Sequence, residues 1–136
     1  MKEKIIATVK EFLMEKINPD FIILFGSHVT GNTHAGSDVD VAFYKEDHGL
    51  NSYDLFILAG ELASLLKVEK VDLIDLEEAT TVFKAVILST GEAIHVKDER
   101  FLNEYEMRAF SMYLKLNEDR QVILKEIFES GKVYGD

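Results

Sequence analysis

The sequence predicts a small α/β (α+β) domain: a sheet of about four short strands flanked by helices, followed by a C-terminal helical region. Three observations predict it. Apolar runs of strand length recur at 21–25, 38–44 and 71–76, and a regular helical stripe separates the second from the third. The 47% hydrophobic content of 136 residues is enough for one well-buried core and too little for two ordinary domains.

Residues 2–17 place Ile5, Val9, Phe12, Leu13 and Ile17 at helical spacing among lysines and glutamates, and Asn18-Pro19 ends that segment. Positions 21–25 are apolar throughout, as in a strand covered on both faces, and Gly26-Ser27 stops it. The stretch 28–37 is small and polar, with glycines at 31 and 36, and reads as a short helical turn and a loop. In the strand 38–44, alternation puts Asp38, Asp40 and Ala42 on one face and Val39, Val41 and Phe43 on the other.

Residues 45–51 form a polar connection, whose KEDH run at 45–48 reads as solvated loop. Leu55, Leu58, Ala59, Leu62, Leu65 and Leu66 make the stripe of a helix over 52–66, ending at Lys67. A third strand follows at 71–76, then a helix over 77–90 with Val82, Phe83, Val86 and Ile87 inward and Gly91 as its stop. Residues 92–96 fit a short fourth strand. Asp98 is placed to cap a final helical region reaching 130, with Gly131 after it. Run as one helix, that region would be about 48 Å long, so either it breaks near Asn117 or one face meets a partner.

Composition narrows the function. The net charge of −10 opposes non-specific binding to a polyanion, which needs clustered Lys and Arg, so nucleic acid is not expected as the main partner. No apolar run approaches the roughly 20 residues of a membrane span, and a soluble, cytoplasmic protein is expected. Cysteine is absent, which leaves oxygen or imidazole ligands for any metal.

Asp38 and Asp40, at i and i+2 of a strand, point to one side with Cα atoms about 6 to 7 Å apart. That arrangement suits a pair of divalent ions of the kind phosphoryl and nucleotidyl transfer use, and hard oxygen ligands favour Mg2+. A third carboxylate from a neighbouring strand is needed, and VDLIDL offers Asp72, with Asp75 on the alternate face as its rival. Gly26 lets backbone approach a phosphate closely, and the amides and hydroxyl at Ser27 can bind its oxygens. No P-loop or dinucleotide-binding glycine pattern competes with this reading.

Gly26-Ser27, ten residues, Asp38-Val39-Asp40 and a later Asp72 resemble the signature of the nucleotidyltransferase superfamily related to DNA polymerase β, over roughly residues 1–96. The resemblance implies a mixed sheet. It divides the single domain 1–136 into a catalytic core at 1–96 and a helical extension at 97–136. The small size is similar to the minimal nucleotidyltransferases (MntA-like) that act as antitoxins of HEPN-domain, HepT-like toxins. What this implies is Mg2+-dependent transfer of AMP from ATP onto a toxin tyrosine. Gly26 and Ser27 would bind the triphosphate, Asp38 and Asp40 the two metal ions, and Asp72 would serve as third ligand and base. Many relatives carry Arg directly after the Gly-Ser pair, where this chain has His28.

Two other readings fit the residues. One is transfer to a small-molecule hydroxyl such as an aminoglycoside's; the other is a non-catalytic antitoxin acting by occlusion, through the apolar surface of 101–116. The acidic surface and the short remainder after the sheet favour an acceptor that arrives as a protein with its own surface, in a homo- or hetero-oligomer.

Overall fold

In the computed structural model of the protein, the described residues are 2–26 and 38–130, with side chains through Glu118. The expected turn and loop at 28–37, with Ser27, His28 and His34, lie outside them.

The chain runs α1 (Lys2–Lys16), β1 (Phe21–Phe25), β2 (Val39–Tyr44), α2 (Ser52–Leu66), β3 (Val71–Asp75), a 3-10 turn (Leu76–Glu78), α3 (Thr81–Thr90), β4 (Glu92–Val96) and α4 (Glu99–Ser130). One four-stranded sheet has the order β3-β2-β1-β4. β2 pairs antiparallel with β1 and parallel with β3, while β4 is antiparallel to β1, so the sheet is mixed as expected.

Local chemistry explains the boundaries. After α1, Asn18 takes φ 58° and Pro19 is fully buried, which turns the chain into β1. Asn51 caps α2 by accepting the Asp54 amide at 2.8 Å, and Asp54 returns the bond to the Asn51 amide at 3.1 Å. Lys67 closes α2 in the left-handed region. Asp98 accepts the Arg100 amide at 3.0 Å and so starts α4 as anticipated.

Helices cover both faces of the sheet. Ile22, Leu24, Val41, Phe43 and Leu73 pack under α1 and α2 on one side. On the other, Phe21, Ile23, Phe25, Ala42 and Leu76 meet Ile87, Leu88, Leu102, Tyr105 and Ala109 of α3 and α4. β1 is buried at all five positions, which is why no alternation appears in its sequence.

Two expectations change, and one alternative is decided. Residues 77–90 are not one helix: Asp75 caps the 3-10 turn and Thr80 starts α3 only at Thr81. This rotates the buried stripe onto Ala85, Ile87 and Leu88, and leaves Phe83 and Val86 exposed at 40% and 47%. The final helix is continuous over 32 residues and does not break at Asn117. It keeps Leu102, Tyr105 and Ala109 inward while Met107, Met112 and Leu114 face outward. The KEDH run is only partly solvated, because His48 turns in against Phe43, with ring centroids 5.6 Å apart. No helix among the described residues is long and apolar enough to cross a membrane.

Candidate active site

The C-terminal end of β1 meets the N-terminal ends of β2 and β3 at one edge of the sheet. Phe25 pairs with Asp40 across β1–β2, and Asp40 pairs with Asp72 across β2–β3. Side chains of paired residues in adjacent strands stand on the same face about 5 Å apart at Cβ. That face is the one Ala42 and Ile74 share with α3 and α4. Asp38 is exposed just ahead of β2, two residues before Asp40 and on the same side.

The structure separates the two rival carboxylates. Asp72 is half-exposed beside Asp40, with Lys70 Nζ 3.4 Å from its Oδ1. Asp75 lies on the opposite face, in line with Leu73 and Val71, and is 7% exposed. Its oxygens are committed elsewhere: Oδ2 to His48 Nε2 at 2.7 Å, and Oδ1 to the Glu77 amide at 3.0 Å. His48 Nδ1 accepts the Leu50 amide at 2.9 Å, so Nε2 carries the proton that Asp75 receives. This pair fastens the β2–α2 connection to the end of β3. No local pattern in the sequence signals it, since the partners stand 27 residues apart.

Gly26 takes φ 81°, a conformation that L side chains rarely adopt. A Cβ at this position would overlap the Asp40 carboxylate. Glycine is thus required twice, to turn the chain out of β1 and to leave room for the carboxylate beside it. Among the described residues no three His, Asp or Glu side chains enclose a metal ion by themselves. Among the described residues Asp40 and Asp72 stand in register with Asp38 at the strand mouth, an arrangement that suits an ion bringing ligands of its own.

The family model described as "Polymerase beta, Nucleotidyltransferase" matches residues 7–100, close to the span on which the motif resemblance rested. The chain belongs to the polymerase beta nucleotidyltransferase family. This nucleotidyltransferase is 35% identical over 109 residues to the protein adenylyltransferase MntA of Shewanella oneidensis, covering 78% of this chain and 74% of that protein. It is 22% identical over 114 residues to the protein adenylyltransferase MntA of Aphanizomenon flos-aquae, covering 78% of this chain and 76% of that one. Among solved structures it superposes on a chain of a toxin–antitoxin crystallised with AMP-PNP, with TM-score 0.79 and 30% identity, over 90% of this chain and 98% of that one. It also superposes on a chain from the complex of a tri-AMPylated Shewanella oneidensis HEPN toxin with its MNT antitoxin, with TM-score 0.77 and 27% identity, over 94% and 99% of the two chains.

Proposed function

We propose that this nucleotidyltransferase is a Mg2+-dependent protein adenylyltransferase that moves AMP from ATP to a tyrosine hydroxyl of a HEPN-domain toxin, acting in the cytoplasm as its antitoxin. The observation that carries this reading is the register of Asp40 with Asp72 at the end of β1, where Gly26 leaves the space a side chain would fill. The relatives support the acceptor: two are protein adenylyltransferases, and one solved complex contains an AMPylated HEPN toxin.

In the reaction, the tyrosine oxygen bonds to the α-phosphorus of ATP. The bond from that phosphorus to the bridging oxygen breaks, pyrophosphate leaves, and the phenolic proton passes to Asp72. Gly26 and Ser27 hold the triphosphate through backbone amides and the serine hydroxyl. Asp38 and Asp40, with Asp72 on the acceptor side, would hold magnesium; hard carboxylate oxygens fit that ion, which takes one or two of them and completes its shell with water and phosphate. When bound, magnesium offsets the charge developing on the phosphates and the leaving oxygen. In this reading residues 1–96 are the catalytic unit and residues 97–136 a helical extension.

The test is incubation with labelled ATP, Mg2+ and a HEPN-domain toxin encoded beside this protein. Label should appear on the toxin and disappear with Asp38→Asn. No label on the toxin, or label undiminished in the variant, overturns the reading.

A further inference from the structure

β3 is an edge strand. In the order β3-β2-β1-β4 its outer side pairs with no strand among the described residues. The parallel ladder fixes which groups that edge presents. Val39 N–H donates to the Lys70 carbonyl at 3.0 Å, so residues 70, 72 and 74 turn their backbone groups toward β2. Val71, Leu73 and Asp75 therefore turn theirs outward. Native sheets cover, twist or charge such an edge, because it is a template for another extended chain.

Here the edge lies at the floor of a groove of about 460 Å3. One wall is α2, through Leu55, Phe56 and Ala59; the other is the segment from Glu78 to Phe83 on the opposite face of the sheet. Each wall carries an exposed aromatic side chain, Phe56 at 73% and Phe83 at 40%, beside polar lining from Ser52, Glu78 and Thr80. A slot whose floor is a strand edge unpaired among the described residues, with an exposed phenylalanine on each side, matches an added β-strand, whose alternate side chains would face the two walls. Asp72 lines the same groove. Its other charged lining residues, Asp75 and Glu78, are acidic too.

The geometry points to this groove as the acceptor-docking site. An extended segment of the acceptor protein, apolar at alternate positions and with neutral or basic flanks, adds to the edge of β3. The residue opposite Asp72 then carries its hydroxyl on the face where Asp72 and Asp40 stand. This rests on the proposed transfer to a protein acceptor and names how that acceptor is held. Main-chain bonds to Val71, Leu73 and Asp75 supply register, and Phe56 and Phe83 supply the contact area.

Amide hydrogen exchange of the full chain with the HEPN-domain toxin, in the presence of a non-hydrolysable ATP analogue, tests the docking without requiring transfer. Protection of the Val71, Leu73 and Asp75 amides by at least tenfold is expected on adding the toxin. Unchanged exchange at these amides overturns the groove, even if AMP is transferred, in which case the proposed function stands and the docking site fails. Protection that instead grows with this protein's own concentration, without toxin, assigns the edge to a second copy and overturns the proposal. As a second arm, Phe56→Asp, at an exposed position, should raise KM for the toxin at least tenfold with kcat and KM for ATP unchanged. A wild-type KM for the toxin in that variant also overturns it.

Discussion

Asp40 and Asp72 are register partners across the only parallel strand pair among the described residues, while Asp75, three residues further along β3, is buried on the other face against His48. One strand thus carries two aspartates with opposite tasks. One stands beside Asp40 on the face that α3 and α4 cover, and the other anchors a connection.

Substitution should separate those tasks. Asp72→Asn leaves a half-exposed site whose ion pair with Lys70 contributes little, so stability should stay within about 0.5 kcal/mol of wild type. AMP transfer should fall on the order of 100-fold or more, as on losing a general base. Asp75→Asn weakens a buried, charge-assisted hydrogen bond and should cost about 1.5 to 3 kcal/mol in urea denaturation. Transfer per folded molecule should survive. The reverse pattern would exchange the roles assigned to the two residues.

Two glycines give a second contrast. Gly91 has an ordinary φ of −83°, yet a Cβ there would crowd the Ile23 side chain and the carbonyls of Ile87 and Leu24. Gly91→Ala should therefore cost about 1 to 3 kcal/mol by overpacking, with specific activity kept. Gly26→Ala forces a side chain into a left-handed conformation, about 1 to 2 kcal/mol, and drives its methyl into the Asp40 carboxylate. Misplacing that carboxylate by about 1 Å should lower transfer roughly 100-fold. Denaturation and labelled-ATP assays on both variants would show whether activity and stability come apart in this way.

The long helix α4 can be probed along its length. Leu102, 4% exposed, packs into the core with Ile87 and Leu88, and Leu102→Ala should cost about 2 to 5 kcal/mol. Met107 is 69% exposed, and Met107→Ala should change stability by less than about 0.5 kcal/mol. Equal losses in the two variants, measured by urea denaturation, would mean that the inward stripe of α4 is misassigned.

Strong local periodicity made much of this fold legible. The leucine stripe of α2 gave both of its ends, because a capping Asn51 and a terminal Lys67 agree with it. The all-apolar run of β1 likewise marked a central strand. Helix α3 was misphased, since nothing in EEATT shows that a 3-10 turn and a fresh Thr80 cap intervene, and one lost turn rotates Phe83 and Val86 outward. At the site, the glycine and the Asp pair were legible as a spacing. The choice between Asp72 and Asp75 was not: alternation separates two faces but does not say which one faces Asp40. Only the pairing of β2 with β3, across the α2 crossover, decides that. His48 escaped for the same reason, being polar in sequence and buried only by a non-local partner.

Tyr105 offers a pH test at the far end of the sheet. Its hydroxyl donates to Glu77 Oε2 at 2.8 Å, and its ring packs edge-on against Phe21 and Tyr44. Burial first, and then the Glu77 carboxylate, push its ionisation well above the ordinary tyrosine range. The unfolded chain ionises this phenol near pH 10, before the folded chain does, so the folded state holds the proton longer. The contribution to stability is complete below about pH 10 and is lost as pH climbs above it, by up to about 1.4 kcal/mol per pH unit. Tyr44 shifts in the same direction, again with burial as the leading cause, and adds to the decline. Tyr105→Phe removes the hydrogen bond, at about 1 kcal/mol near neutral pH, and also removes the Tyr105 share of the alkaline slope. Urea denaturation of both proteins from pH 8 to about 11 should show the two stability curves converging above about pH 10. Curves that stay parallel through that range would mean that Tyr105 ionises as readily folded as unfolded, and that the bond to Glu77 does not hold its proton.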